Sequence, residues 1–166
     1  MRKHKATCFR YLLWAAVLFW AGMIFYMSAQ NAGSSNAMSG GLLQRITALF
    51  PVFRRMAAEE RAQLLSLLHT LLRKAAHWSL YFVLGALGAL LSLCYPLSFR
   101  VRAPLVFGGS LLYALSDELH QYFVPGRSCE FRDVLIDFCG ALTGASLVFL
   151  IAFLHKKRRK ASDAPR

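Results

Sequence analysis

The chain has 166 residues, of which 57% are hydrophobic and 17% are charged, and its mean hydropathy is +0.42. Average soluble domains carry about 25% charged residues, so this composition is too apolar for an ordinary small soluble domain and opposite to that of a disordered chain. The net charge of +12 is typical of nucleic-acid-binding proteins, but the basic residues lie between long apolar segments. That arrangement is the pattern of a membrane protein. We therefore expect the lipid bilayer, and no nucleic acid, as a partner.

Four segments are long and apolar enough to be transmembrane helices, which need about 20 residues to cross a hydrocarbon core of about 30 Å. In chain order they cover residues 11–28, 75–95, 103–124 and 134–154. Helices are expected because a backbone within lipid must satisfy its own hydrogen bonds. The predicted fold class is all-α, an integral membrane four-helix bundle that forms one domain over residues 11–154.

The first segment is preceded by basic residues, as in a signal peptide. Its apolar stretch is longer than the usual 7–15 or so residues of a signal peptide, and no A-x-A cleavage site follows it. We therefore predict that it stays in the protein as the first span.

The basic residues predict the orientation of the spans. Twelve of the 20 Lys and Arg residues lie within residues 1–10, 96–102 and 155–166, together with one acid, Asp163. By the positive-inside rule, both termini and the connection between spans two and three are expected in the cytoplasm. The prediction is a multi-pass protein of the cell membrane with a basic cytoplasmic tail and a long extracytoplasmic loop between helices 1 and 2.

Within this long loop, the small and polar residues 30–36 predict a linker, and Gly40 and Gly41 predict a second break. A short helix on the membrane surface is expected next, because four apolar residues recur at helical spacing: Leu42, Ile46, Leu49 and Phe50. Pro51 is expected to end it. The apolar pattern of residues 57–72 predicts a further helix, which could continue into the second span.

Ionisable residues occur at the predicted outer ends of the spans. Such residues cost a few kcal/mol within a membrane, so they usually face the bundle interior or water and pair with one another. On the third span, Asp117, His120 and Gln121 stand at i, i+3 and i+4 and share one face. On the fourth span, Asp133 and Asp137 share a face in the same way.

Small residues continue these faces along the helices. Gly140 and Gly144 form a G-x-x-x-G pair, which allows close approach of two helices, and on the second span the face of His77 continues to Gly85. We therefore expect the helix seams to bring the polar residues into one outward-facing pocket. Its predicted substrate-binding residues are Gln30, Arg73, His77, Asp117, Glu118, His120, Gln121, Arg127, Asp133 and Asp137.

The connection between spans three and four is short. Pro125 and Gly126 fit the two central positions of a type II turn, in which glycine takes a positive φ. Arg127 follows directly, and it could fold back over the acidic residues or reach outward to a phosphate with its fork of donors.

These motifs resemble the VanZ-like family of bacterial membrane proteins. The matching stretches are YMSAQ at 26–30, RKAAH at 73–77, SDELHQ at 116–121, FVPGR at 123–127 and DVLID at 133–137. They occur in order on all four predicted spans. The resemblance implies a protein of the bacterial cell envelope associated with low-level tolerance of the lipoglycopeptide teicoplanin. It implies no particular reaction.

The first functional hypothesis is recognition of an amphiphile, such as a lipid-linked cell-wall precursor or a lipid-tailed antibiotic. Such a molecule has a phosphate or carboxylate next to a hydrocarbon chain, and Arg73 and Arg127 would contact the phosphate or carboxylate. For Lys74, Trp78 and Phe123 we favour an ordinary role at the membrane interface.

The second hypothesis is a membrane hydrolase or transferase. His120 beside Asp117, or His77 beside an acid, could act as a general base, because a carboxylate neighbour orients the imidazole and raises its basicity. The candidate catalytic residues are thus Asp117, His120 and Asp137, although no nucleophile motif is present. The alternative is that the same residues form a buried ion-pair network that only stabilises the bundle.

Two further possibilities are a metal site and a role as a partner of another protein. The H-E-x-x-H spacing of metal sites is absent, so we predict no metal and no other cofactor. A third functional class is a non-catalytic partner of a cell-wall enzyme, bound through the G-x-x-x-G seam of the fourth span.

Overall fold

The computed structural model describes residues 2–30, 32–127 and 130–162, and every regular element in these ranges is an α-helix. In chain order the helices are α1 (Arg2–Ser28), α2 (Ala32–Ala48), α3 (Val52–Arg55), α4 (Ala58–Leu93), α5 (Phe99–Tyr122) and α6 (Phe131–Ser162). The predicted all-α class is confirmed.

Three helices in the described part of the chain are long and apolar enough to cross a membrane. They cover Thr7–Ser28 in α1, Ala58–Leu93 in α4 and Phe131–Arg159 in α6. The predicted third span lies in α5, which is not among them, because charged residues near both of its ends lower its hydropathy: Arg100, Arg102, Asp117 and Glu118. A bundle of four spans therefore stays a prediction.

The helices α4, α5 and α6 pack together, with α6 against α4 as the largest interface, and α1 lies on α4 and α5. We call the end of this assembly that contains Ser28, His77, Asp117 and Asp137 the polar end. At mid-length the Tyr113 hydroxyl of α5 donates a hydrogen bond to the Ala21 carbonyl of α1, over 2.6 Å. The helix α5 thus runs beside the three apolar helices.

Glycines bring α4 and α6 into backbone contact. A Cβ added at Gly85 would collide with the backbone of Ala141, and one added at Gly140 or Gly144 would collide with the α4 backbone, at Trp78 and Phe82 respectively. The G-x-x-x-G seam is therefore occupied within the chain, which removes the argument that it serves a partner protein.

The loop between α1 and α4 differs from its sequence-based prediction. Within the expected linker over residues 30–36, the part from Ala32 onwards is helical, and the break expected at Gly40 and Gly41 was wrong, because α2 runs from Ala32 to Ala48. Each glycine costs a helix about 1 kcal/mol relative to alanine. Packing of α2 on α4, with Leu43 only 8% exposed, offsets this cost.

The helix α4 continues without interruption from the loop into the predicted second span. Its 36 residues correspond to about 54 Å at 1.5 Å per residue. This length exceeds a hydrocarbon core of about 30 Å, so its first turns extend beyond the polar end of the bundle. Pro104 lies in the second turn of α5.

Candidate functional site

Asp117 is the centre of a buried hydrogen-bond network that joins α1 to α5. Its Oδ2 accepts hydrogen bonds from the Ser28 hydroxyl over 2.8 Å and from Gln121 Nε2 over 3.0 Å. All three side chains are buried, and Asp117 is only 2% exposed. The i, i+4 spacing of Asp117 and Gln121 therefore gives the shared face that the sequence predicted.

The turn after α5 directs Arg127 back towards the bundle. Gly126 has a φ of 77°, and the Arg127 N–H donates to the Val124 carbonyl over 3.1 Å, as expected for the predicted type II turn. The Arg127 guanidinium then donates from Nη1 to the Ser28 carbonyl over 3.3 Å. Of the two orientations considered from the sequence, Arg127 adopts the one that folds back over the acidic residues.

The electrostatic surroundings of Arg127 are mixed. Burial lowers the pKa of its guanidinium from the ordinary value of 12.5, and the positive charge of Arg73 acts in the same direction, whereas nearby acids such as Asp117 and Glu118 raise it. An arginine side chain keeps its proton in proteins. Arg127 therefore carries a permanent positive charge beside Arg73.

His77 and Asp137 form a second pair, between α4 and α6. His77 Nδ1 lies 3.5 Å from Asp137 Oδ1, and the Asp137 side chain is completely buried. In the described part of the chain, neither Asp137 oxygen has a hydrogen-bond partner, and the same holds for the buried Tyr81 hydroxyl. One ligand atom each from His77, Asp117 and Asp137 lies within 4.8 Å of the others, so these three residues form the one candidate metal-binding group among the described residues.

Two further contacts surround these pairs. Lys74 Nζ forms an ion pair with Asp133 Oδ1 over 2.8 Å, with both side chains partly exposed. Glu118 is 1% exposed and accepts a hydrogen bond from the Glu130 backbone N–H over 3.0 Å. Lys74, interpreted from the sequence as an interface residue, thus has a specific acidic partner.

The structure does not favour the predicted catalytic pair of His120 and Asp117. The His120 ring stacks on Phe25 with centroids 4.3 Å apart, and its Nε2 has no hydrogen-bond partner among the described residues. His120 lies on the α1 side of the site, so His77 is the histidine that contacts a carboxylate.

The remaining predicted residues lie at the edge of the site. Arg73 lines a small cleft together with Lys74, His77, Asp133 and Asp137. Gln30 is half-buried just beyond the end of α1, where its backbone N–H donates to the Met27 carbonyl over 3.3 Å.

Sequence reasoning missed two residues of this site as ligands or partners. Neither residue was among the predicted substrate-binding or catalytic residues. A signal existed for both residues: Ser28 is the last residue of the predicted first span, and Tyr81 stands four residues after His77.

The whole site lies within the part of the chain that matches a known protein family. The model of the VanZ/LLP1 family matches residues 13–153. The chain belongs to this family. No curated protein and no solved structure matches it. As a VanZ/LLP1 protein with three apolar helices of membrane-spanning length, it is a VanZ-like membrane protein.

Proposed function

We propose that this protein binds the anionic headgroup of an amphiphile at the outer leaflet of the bacterial cell membrane, with the polar end of the bundle facing outwards and α5 as a fourth span. The observation that carries the proposal is the pair Arg73 and Arg127. Their charges repel each other, and Arg73 forms no ion pair within the described residues. An anion between two such guanidinium groups would relieve this repulsion through charge-assisted hydrogen bonds.

An apolar groove between α1, α4 and α5 supports the amphiphilic part of the proposal. It has a volume of about 490 Å³, which is within the range of small-molecule sites. Its lining includes Trp14, Val17, Ala21, Leu84, Leu91, Leu105, Val106 and Tyr113. Tyr113 stands one turn before Asp117, so the groove approaches the polar end. An acyl or polyprenyl chain would fill the groove while its headgroup contacts the arginines.

The class of amphiphile proposed is a lipid-linked cell-wall precursor, a phosphate-bearing polyprenyl lipid. Binding or masking of such a lipid, or binding of the lipid-tailed antibiotic itself, would connect the protein to low-level teicoplanin tolerance at the cell envelope.

Native mass spectrometry of the full-length protein with undecaprenyl phosphate tests this proposal. We expect the double substitution Arg73→Gln and Arg127→Gln to weaken binding about 100- to 10,000-fold, because hydrogen bonds to charged groups contribute about 1.5–3 kcal/mol each and two are lost. Arg132→Gln is the matched control, since Arg132 is exposed near the same end of α6. Equal affinity of wild type and double variant would refute the proposal.

A cellular test addresses the envelope role. Alanine at Asp117, His120, Arg127 or Asp137 should abolish glycopeptide tolerance while the amount of protein in the membrane is unchanged. An equal loss of membrane protein would instead support a purely structural network.

A second candidate function is a membrane hydrolase or transferase that acts on the same class of lipid. The contact between His77 and Asp137 favours it, because a buried carboxylate beside an imidazole is the arrangement of a general base. Mass spectrometry of lipid-linked intermediates separates the two functions: an enzyme changes their masses, and a binding protein does not.

A further inference from the structure

The buried carboxylates at the polar end have fewer partners than their burial requires. Asp137 is 0% exposed, and neither of its carboxylate oxygens has a hydrogen-bond partner among the described residues. Oδ1 of the buried Asp117 also has no hydrogen-bond partner among them. A buried polar atom without a partner costs about 1–3 kcal/mol, and more when it is charged. Two such acids side by side are stabilised by a shared proton or by a positive charge between them.

Two cations lie near these acids. Lys74 forms its ion pair with Asp133, and the Arg127 guanidinium donates a hydrogen bond to the Ser28 carbonyl. The group that faces both acids is His77, which is neutral when one of its nitrogens acts as a ligand.

The spacing of the three side chains suits a small divalent ion. Ligands about 2.0–2.1 Å from Zn²⁺ in a tetrahedral site are about 3.3 Å from one another. His77 Nδ1 and Asp137 Oδ1 are 3.5 Å apart, and the group formed with Asp117 closes within 4.8 Å. We propose that His77, Asp117 and Asp137 bind a divalent transition-metal ion, with Zn²⁺ as the reference ion. This inference goes beyond amphiphile binding and does not depend on it.

Neighbouring side chains are arranged as supports for such ligands. The Ser28 hydroxyl and Gln121 hold Oδ2 of Asp117, which fixes the carboxylate and leaves Oδ1 for the metal. The Tyr81 hydroxyl is buried beside Asp117 and interacts electrostatically with both acids. It is placed to donate to a carboxylate oxygen or to a metal-bound water. With three protein ligands, a fourth position stays open, as in catalytic zinc sites.

The prediction of no metal from the sequence rested on local spacing, whereas each ligand proposed here comes from a different helix: His77 from α4, Asp117 from α5 and Asp137 from α6. No local spacing such as H-E-x-x-H is required when tertiary packing brings the ligands together.

The metal content of the purified protein tests the proposed site. Full-length protein is purified in detergent without chelator, stripped with EDTA and titrated with Zn²⁺ and, separately, Mn²⁺ by calorimetry, with the bound metal counted by inductively coupled plasma mass spectrometry. We expect about one ion per chain and a rise in the thermal unfolding midpoint on Zn²⁺ addition. Wild-type protein that takes up neither ion overturns the proposal, whatever the variants do.

Two variants locate the ion. We expect Asp137→Asn and His77→Gln to lower the metal affinity at least 10-fold. Glu60→Gln and His155→Gln are matched controls, because Glu60 is exposed on α4 and His155 is exposed on α6; both should retain the wild-type stoichiometry. Asp137→Asn keeps the size of this buried side chain and removes its negative charge, so circular dichroism of the metal-free variant checks that it remains folded. Unchanged affinity in both ligand variants, or an equal loss in the controls, overturns the assignment.

Discussion

The two carboxylate oxygens of Asp117 have different surroundings. Its Oδ2 is bound by Ser28 and Gln121, while Oδ1 has no hydrogen-bond partner among the described residues. The first set of bonds fixes the direction of the second oxygen, at the place where His77 and Asp137 also present ligand atoms. The function of Ser28 is therefore to position an acid and, at the same time, to attach α1 to α5.

Removal of the Ser28 hydroxyl tests this role. We expect Ser28→Ala to lower the free energy of unfolding by about 1–3 kcal/mol, because a buried carboxylate oxygen loses a hydrogen bond. Thermal unfolding in detergent, followed by circular dichroism, measures the effect. Ser79→Ala is the control, since the exposed Ser79 hydroxyl donates only to the Ala75 carbonyl of its own helix. Equal losses in the two variants would contradict the role assigned to Ser28.

At the scale of residues, helical spacing predicted much of the site. The i, i+4 relation placed Gln121 beside Asp117, and positive φ at Gly126 followed from Pro-Gly in the turn. The choice between His77 and His120 could not be predicted, because it depends on how far each helix is rotated about its axis. That rotation is determined by contacts between helices, such as the stacking of His120 on Phe25.

The site is built on the interface between the helices α4 and α6. Gly85, Gly140 and Gly144 allow the two backbones to touch, and the same pair of helices carries His77 and Asp137. Close contact at the seam therefore determines the distance between these two side chains. The hydropathy pattern predicted the positions of α1, α4 and α6, whereas α2 was predicted incompletely because its glycines are compensated by packing against α4.

A single methyl group at the seam should separate the two helices. We expect Gly144→Ala to destabilise the protein by about 1–3 kcal/mol, the usual cost of overpacking, because its Cβ would meet the Phe82 backbone. Gly108→Ala is the matched control: an added Cβ there meets nothing within 4 Å, and alanine favours a helix by about 1 kcal/mol over glycine. Unfolding temperatures in detergent compare the two. If Gly144→Ala is as stable as Gly108→Ala, the close seam is wrong.

At the scale of the whole molecule, the role of α5 decides the topology. Its neighbours on both sides are apolar helices, and it contacts α1 through the Tyr113 hydroxyl, although its own hydropathy does not mark it as a span. Sequence alone could not resolve this point, since two of the charges that lower the hydropathy of α5, those of Asp117 and Glu118, are buried within the bundle.

Labelling with a membrane-impermeant thiol reagent tests whether α5 crosses the membrane. In a cysteine-free background, single cysteines replace Ser98 and Glu130, which are exposed and lie before and after α5. We expect Glu130→Cys to react in intact cells and Ser98→Cys to react only after permeabilisation, because the two positions should lie on opposite sides. Reaction of both cysteines from the same side would exclude α5 as a span.

The uninterrupted α4 has a mechanical consequence. From Ala58 to Leu93 it is a single helix, and α2 packs against it. A continuous helix has no hinge between its two ends. A tilt imposed on the N-terminal part of α4 would therefore be transmitted to His77 and would change the distance between His77 and Asp137. A force on the N-terminal part of α4 would in this way widen or narrow the small cleft between His77 and Asp137.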